Sequence, residues 1–161
     1  MSRISSIHTE RGSALDYPVV ADVVAFKNLY KRMNRDSITF EMLADVYGAD
    51  FVFTDPFHNI SGLTAYYDYC VSMYQNVSSI EFDFHDEWTR EDAACLSWTM
   101  QFKHRHINRG KAVAVDGTSV LQFRHDAIVL QRDYFDGGQA LYQHLPLLGS
   151  VITRLKKRMT P

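Results

Sequence analysis

Hydrophobic positions recur at two different periods along the chain, and the change of period divides it. Val23, Phe26, Tyr30 and Met33, with Leu29 beside them, fall three or four apart. That is the spacing of one helix face, and the run ends near Asn34. Phe40, Leu43, Ala44 and Tyr47 repeat the pattern after Thr39 and stop at Gly48, a glycine suited to ending a helix. Phe51-Val52-Phe53 predicts a short strand. Asp55-Pro56 breaks it, because proline lacks an amide donor and holds the preceding residue extended. A third helix opens with Ser61 as N-cap and carries Leu63, Tyr66, Tyr67, Cys70, Val71 and Tyr74 on one stripe.

From Ser78 onward the period is two. Ile80, Phe82, Phe84 and Trp88 share one strand face, and Glu81, Asp83, His85 and Glu87 take the other. The next strand alternates Leu96, Trp98, Met100 and Phe102 with polar residues. Its apolar face turns either inward or to a subunit interface. Asn108-Arg109-Gly110 marks a turn, after which residues 112–123 form one long strand interrupted at Gly117. A turn at His125-Asp126 leads into Ile128–Asp136, and Gly137-Gly138 ends the sheet. Leu148, Val151, Ile152, Leu155 and Met159 then form an apolar stripe opposite Arg154, Lys156, Lys157 and Arg158. This stripe is expected to pack on the sheet with its cations solvated, though an anionic membrane surface would suit the same pattern.

Helices followed by an antiparallel meander define an α+β fold: about four long strands and a short one, with three N-terminal helices. A glycine inside a long strand permits the bend that curls such a sheet around a cavity. Residues 1–17 are polar and aperiodic and read as a flexible arm, leaving 18–161 as a single domain.

Composition narrows the function. The 161 residues are 46% hydrophobic and 22% charged, with 17 Lys+Arg against 19 Asp+Glu. A net charge of −2 argues against nucleic-acid binding, which draws its affinity from a basic surface. No window is long and apolar enough for a membrane span or a secretory signal. Cys70 and Cys95 are too few for a disulfide framework, so a reduced, cytoplasmic setting is expected. Aromatic residues are abundant at 13%, which suits an apolar pocket or a subunit interface.

The first helix ending in MNRDS, then LADVYGADFVFTDPFHNISGLTAYYDY, GKAVAVDGTSVLQF and IVLQRDYFD, follow one another in an order that resembles the nuclear transport factor 2-like superfamily, in its SnoaL-like and ketosteroid-isomerase-like branch. The resemblance covers roughly residues 22–140. It implies a cone-shaped, curved sheet whose pocket the helices close, and homodimerisation through the outer sheet face. It also places Asp55 of FTDP where ketosteroid isomerases carry their proton-abstracting base. Asp133 of QRDYFD falls where limonene-epoxide-hydrolase-like members carry the Asp that activates water. Neither constellation is complete. The isomerase tyrosine position falls on Asn28, with Tyr30 expected to face elsewhere, and the position of the protonated Asp falls near Leu121. The Arg-x-Asp of the hydrolases falls on Met100 and Phe102.

Each candidate also has a plainer role. Asp55 is either a shielded base or the cap of its own turn. Asp133 shares a strand face with Val129, Gln131 and Phe135, where a carboxylate needs either a wet pocket or an arginine from a neighbouring strand. His58 either relays protons to Asp55 or is solvated. His104 and His106 share a face, but a third ligand is not evident, so a basic hairpin is expected and no metal. Trp98, Tyr30, Tyr66, Phe82 and Gln131 are expected to line the ligand site, and Trp88 is a further aromatic candidate. These features predict a pocket for a small, largely apolar, oxygenated molecule. Cofactor-free isomerisation, cyclisation or water addition by Asp133 and Asp55 would follow, since no phosphate loop or metal motif appears. A non-catalytic ligand-binding or dimeric scaffold module on the same fold is the alternative.

Overall fold

The computed structural model describes residues 23–144 and 146–159. The predicted arm over 1–17 and the domain boundary after it lie outside these. Helix α1 (Val23–Arg32) buries Val23, Phe26 and Leu29, the positions its spacing selects. Asn34 then turns the chain, its side-chain oxygen accepting from the amides of Asp36 and Ser37. Helix α2 (Phe40–Ala44) is capped by Thr39, whose hydroxyl accepts from the Met42 amide.

Strand β1 (Tyr47–Thr54) begins earlier than its three hydrophobics predict. Gly48 is therefore inside a strand rather than at a helix end, and Tyr47 belongs to β1. The local helical spacing there yields to pairing with β6, which starts opposite Tyr47. A short β2 (Asn59–Ser61), absent from the periodicity, pairs antiparallel with β1. Ser61 consequently belongs to a strand. The cap position of α3 (Leu63–Asn76) falls on Gly62, with φ of 90° and no capping side chain. Helix α3 turns Leu63, Tyr66, Cys70 and Tyr74 inward.

The strands β3 (Val77–Arg90), β4 (Ala93–His104), β5 (Val113–Arg124) and β6 (Ala127–Phe135) form the expected meander. The whole sheet is six-stranded, curved and open, in the order β2-β1-β6-β5-β4-β3. Among the described residues only β1 and β6 pair in parallel. The short helix α4 (Gly137–Ala140) and helix α5 (Pro146–Met159) follow.

Among the register irregularities of the sheet, two change which side chains face inward near the candidate groups. Between Phe84 and Glu87, β3 advances three residues while β4 advances two, from Trp98 to Leu96. One extra residue in a strand inverts every later side chain. Glu87 therefore reaches Lys27 of α1 at 2.6 Å, and Trp88, expected on the apolar face, is 59% exposed on the outside. In β6 the extra residue is Val129, between Ile128 and Leu130. The bulge removes Val129 from the Asp133 face and puts buried Ile128 there.

The main core gathers α1, α3 and β1 against the concave face of the sheet, with Phe26, Phe51, Tyr66, Leu96 and Leu121 nearly inaccessible. Burying one such side chain stabilises the fold by roughly 1.5–3 kcal/mol. The inward face of β4 (Leu96, Trp98, Met100, Phe102) is buried or half-buried, which settles its direction. In α5, Val151 and Leu155 stay about half exposed, so the expected packing of that stripe on the sheet does not extend to them. Among the described residues no helix is long and apolar enough to cross a membrane.

Candidate active site

A cavity of about 240 Å³ opens between the concave sheet and helices α1 and α3. Phe82, Trp98, Met100, Phe102 and Phe135 line it from the sheet, and Tyr30, Tyr66, Tyr69 and Met73 from the helices. A ~150 Å³ cavity holds benzene, so this one suits a molecule of about ten non-hydrogen atoms. Asp133, Asp55 and His58 all reach its wall. One turn of the chain, with Asp55 and His58, and a strand about 75 residues further on, with Asp133, thus meet on one cavity.

Asp133 is held by a chain of donors. The Trp98 indole N–H donates to Ser119 Oγ at 2.9 Å, and the Ser119 hydroxyl donates to Asp133 Oδ1 at 2.7 Å. The Gln131 amide lies 3.0 Å from each Asp133 oxygen and also donates to the Tyr30 hydroxyl at 2.8 Å. Its carbonyl accepts from Tyr47 at 2.8 Å, and that bond orients the amide, because a carbonyl only accepts. Gln131 is fully buried behind the cavity wall, supporting Asp133 rather than lining the space itself. No cation pairs with Asp133 among the described residues. Arg132 lies over the Tyr134 ring instead, and Arg124 pairs with Asp50.

Loss of solvent pushes the Asp133 carboxyl up to about 7, against the pull of Ser119 and Gln131, and the Asp55 charge adds to the rise. A carboxyl so placed is present in both protonation states near neutrality and can give or take a proton. Burial also raises the phenols of Tyr30 and Tyr66 well above their usual range, so both remain hydrogen-bond donors. Their oxygens lie 3.2 Å apart.

Tyr30 corrects an expectation. Asn28 is exposed, while Tyr30 turns inward and brings its hydroxyl to Gln131 and the cavity. Leu121 is buried, and Met100 and Phe102 line the wall, so those positions offer only hydrocarbon and thioether surface.

Asp55 follows the end of β1. Its Oδ1 accepts from the amides of Phe57 at 2.7 Å and His58 at 2.6 Å, closing the turn. His58 Nδ1 lies 3.0 Å from the same oxygen and must carry the proton, because the carboxylate only accepts. The Asp55 side chain is 6% exposed and that of His58 42%, so the pair runs from the cavity wall towards solvent. Tyr69 packs on the His58 ring at 4.8 Å.

Sequence reasoning missed Ser119, Tyr47 and Tyr74. Ser119 had a signal, a polar residue at inward parity between apolar neighbours. Tyr47 had none. Tyr74 lines the cavity, and its buried hydroxyl has no partner among the described residues. His104, expected on a solvated hairpin, is half-buried in the cavity lining, whereas His106 is exposed. No cluster of three metal-binding side chains occurs among the described residues.

A helix-lidded, curved sheet thus surrounds an acid-bearing cavity. The model of the SnoaL-like domain matches residues 26–131, well over half of the chain, and the chain belongs to that family. The curated proteins include no match. Among solved structures, an LEH-like epoxide hydrolase from M. tuberculosis is similar at 22% identity and a TM-score of 0.60, covering 81% of this chain and 92% of its own. A protein with a ketosteroid isomerase-like fold from Catenulispora acidiphila, in complex with trimethylamine, has 14% identity and a TM-score of 0.64, covering 76% and 90%. At these identities the likeness concerns the fold alone.

Proposed function

We propose that this SnoaL-like protein takes a small, largely apolar molecule bearing an oxygen function into its cavity. It moves a proton on that molecule without a cofactor, in an isomerisation, cyclisation or water addition. Asp133 is the acid/base group. The carrying observation is its carboxyl, set among aromatic rings at a proton affinity near neutrality and oriented by Ser119 and Gln131. Asp55 and His58 form a second acid/base pair leading towards solvent, able to exchange protons with water between turnovers. The Tyr74 hydroxyl, without a partner among the described residues, supports the oxygen function, because a buried polar group left unpaired costs free energy that a ligand oxygen would recover.

Proton abstraction beside a carbonyl can be followed without knowing the substrate. Deuterium uptake by 2-tetralone in D2O, read by NMR, should be accelerated by the wild-type protein. Asp133→Asn should lower that acceleration by about 10²–10⁴-fold, the usual contribution of a general base. Equal rates in the two proteins would remove Asp133 from the chemistry.

A non-catalytic binding module is the second reading, favoured by the apolar Met100 and Phe102 and by the turn amides that occupy Asp55. It requires ligand-induced thermal stabilisation to survive substitution of both aspartates. On either reading the protein works as a cytoplasmic homodimer, joined through the outer sheet face that carries exposed Trp88 and Tyr134.

A further inference from the structure

The charge balance of the cavity wall is one-sided. Among the described residues no lysine or arginine lines it. Burial raises the phenols of Tyr30, Tyr66, Tyr69 and Tyr74 and the Cys70 thiol, so all five are neutral at physiological pH. Desolvation lowers His104, with His106 and Arg105 adding to the effect, so it too is neutral. The remaining ionisable groups are Asp133, Asp55 and His58, the last held by Asp55. Around Asp133 the wall is a continuous set of π systems. Tyr30 and Phe82 meet at 4.8 Å, Phe82 and Trp98 at 5.5 Å, and Trp98 and Phe135 at 6.3 Å.

Aromatic faces and buried carboxylates attract the same class of guest. A ring quadrupole is negative on its face, and the attraction to a cation grows when water is excluded. Among the described residues Asp133 Oδ2 accepts from Gln131 alone, which leaves it free to accept from the N–H of a tertiary ammonium or to sit against the positive charge of a quaternary one. A neutral guest would leave the desolvated carboxylate uncompensated; a positive one offsets that cost. An ammonium carrying alkyl groups is weakly hydrated and gives up little on entering.

We propose that the ligand presents a tertiary or quaternary ammonium group to Asp133 within the Tyr30–Phe82–Trp98–Phe135 wall. The cation is an addition to the ligand described above, and so rests on the cavity's being a ligand site. It also prepares the chemistry, since a bound positive charge holds Asp133 in its carboxylate form, the form that accepts a proton.

Phenyltrimethylammonium and tert-butylbenzene have the same shape and differ in charge, and both match the cavity in size. Titration of the wild-type protein at pH 8, followed by NMR shifts of the Trp98 indole, should give a dissociation constant at least tenfold lower for the cation. The preference should shrink below pH 6, as Asp133 takes up a proton. In Asp133→Asn the two affinities should come within about threefold. Binding of tert-butylbenzene as tight as that of the cation to the wild-type protein would overturn the ammonium proposal and leave the cavity a ligand site. Failure of both probes to shift the indole at millimolar concentration would overturn both ideas.

Discussion

At Asp133 the fold carries a group that destabilises it. The carboxyl is raised to about 7 in the folded chain and is ordinary, near 3.9, when unfolded. Between those values the folded state binds more protons, so stability is fully present below about pH 4 and is lost as pH rises through 7. Above that the deficit is on the order of 4 kcal/mol at most, at ~1.4 kcal/mol per unit of displacement. Asparagine keeps an acceptor for Ser119 and Gln131 but has no charge to desolvate. Asp133→Asn should therefore melt at a higher temperature than wild type at pH 8, with the gap closing towards pH 4. A constant difference across that range would show that the carboxyl is not desolvated. Tyr47 belongs to the same account: by donating to the Gln131 carbonyl it keeps the amide, rather than the carbonyl, towards Asp133.

Within the strands, the site depends on a close approach and a bulge. A Cβ on Gly117 would lie 2.2 Å from the six-membered ring of Trp98. Trp98 is paired with Gly117 across β4 and β5, and the missing side chain leaves room for the indole to reach Ser119. Gly117→Ala should displace the indole, red-shift tryptophan emission and destabilise the protein by about 1–3 kcal/mol, the usual cost of overpacking. Unchanged emission and stability would mean that the ring has room to spare. The glycine at mid-strand, taken from the sequence as a place to bend, is thus also a place for a neighbouring ring. The Val129 bulge has the larger consequence. Arg124 pairs with Ala127, so an unbroken ladder would bring Ser119, five residues back, opposite Arg132, five residues on. The extra residue puts Asp133 there instead.

For the whole molecule, the open sheet has two unlike faces. The concave face holds the core and cavity, while the convex one carries Trp88 at 59% and Tyr134 at 53% exposure. Aromatic residues are enriched at subunit interfaces relative to the rest of a protein surface. Light scattering should report a dimer for the wild type and a monomer for Trp88→Glu/Tyr134→Glu. The folding free energy of the monomer should shift by no more than about 0.5 kcal/mol, as for other exposed positions. A wild-type monomer at high concentration would defeat the dimer.

Periodicity alone determined the α+β order, the apolar faces of α1, α3, β4 and most of β3, and the presence of Asp133 on a β6 strand, because side-chain direction within an element follows from local backbone geometry. That the β4 face turns inward was decided by the tertiary structure. The order of its motifs also placed the chain among the SnoaL-like proteins. Tertiary pairing decided the rest. One inserted residue inverts a strand, which sent Trp88 outward and seated Asp133 on Ser119. Tyr30 was on the apolar face of α1 by its spacing, but its hydroxyl acquired a role only through the Gln131 amide, 101 residues away in sequence, which donates to it. Such choices depend on which strand lies beside which, and so on energies that exist only once distant segments have met.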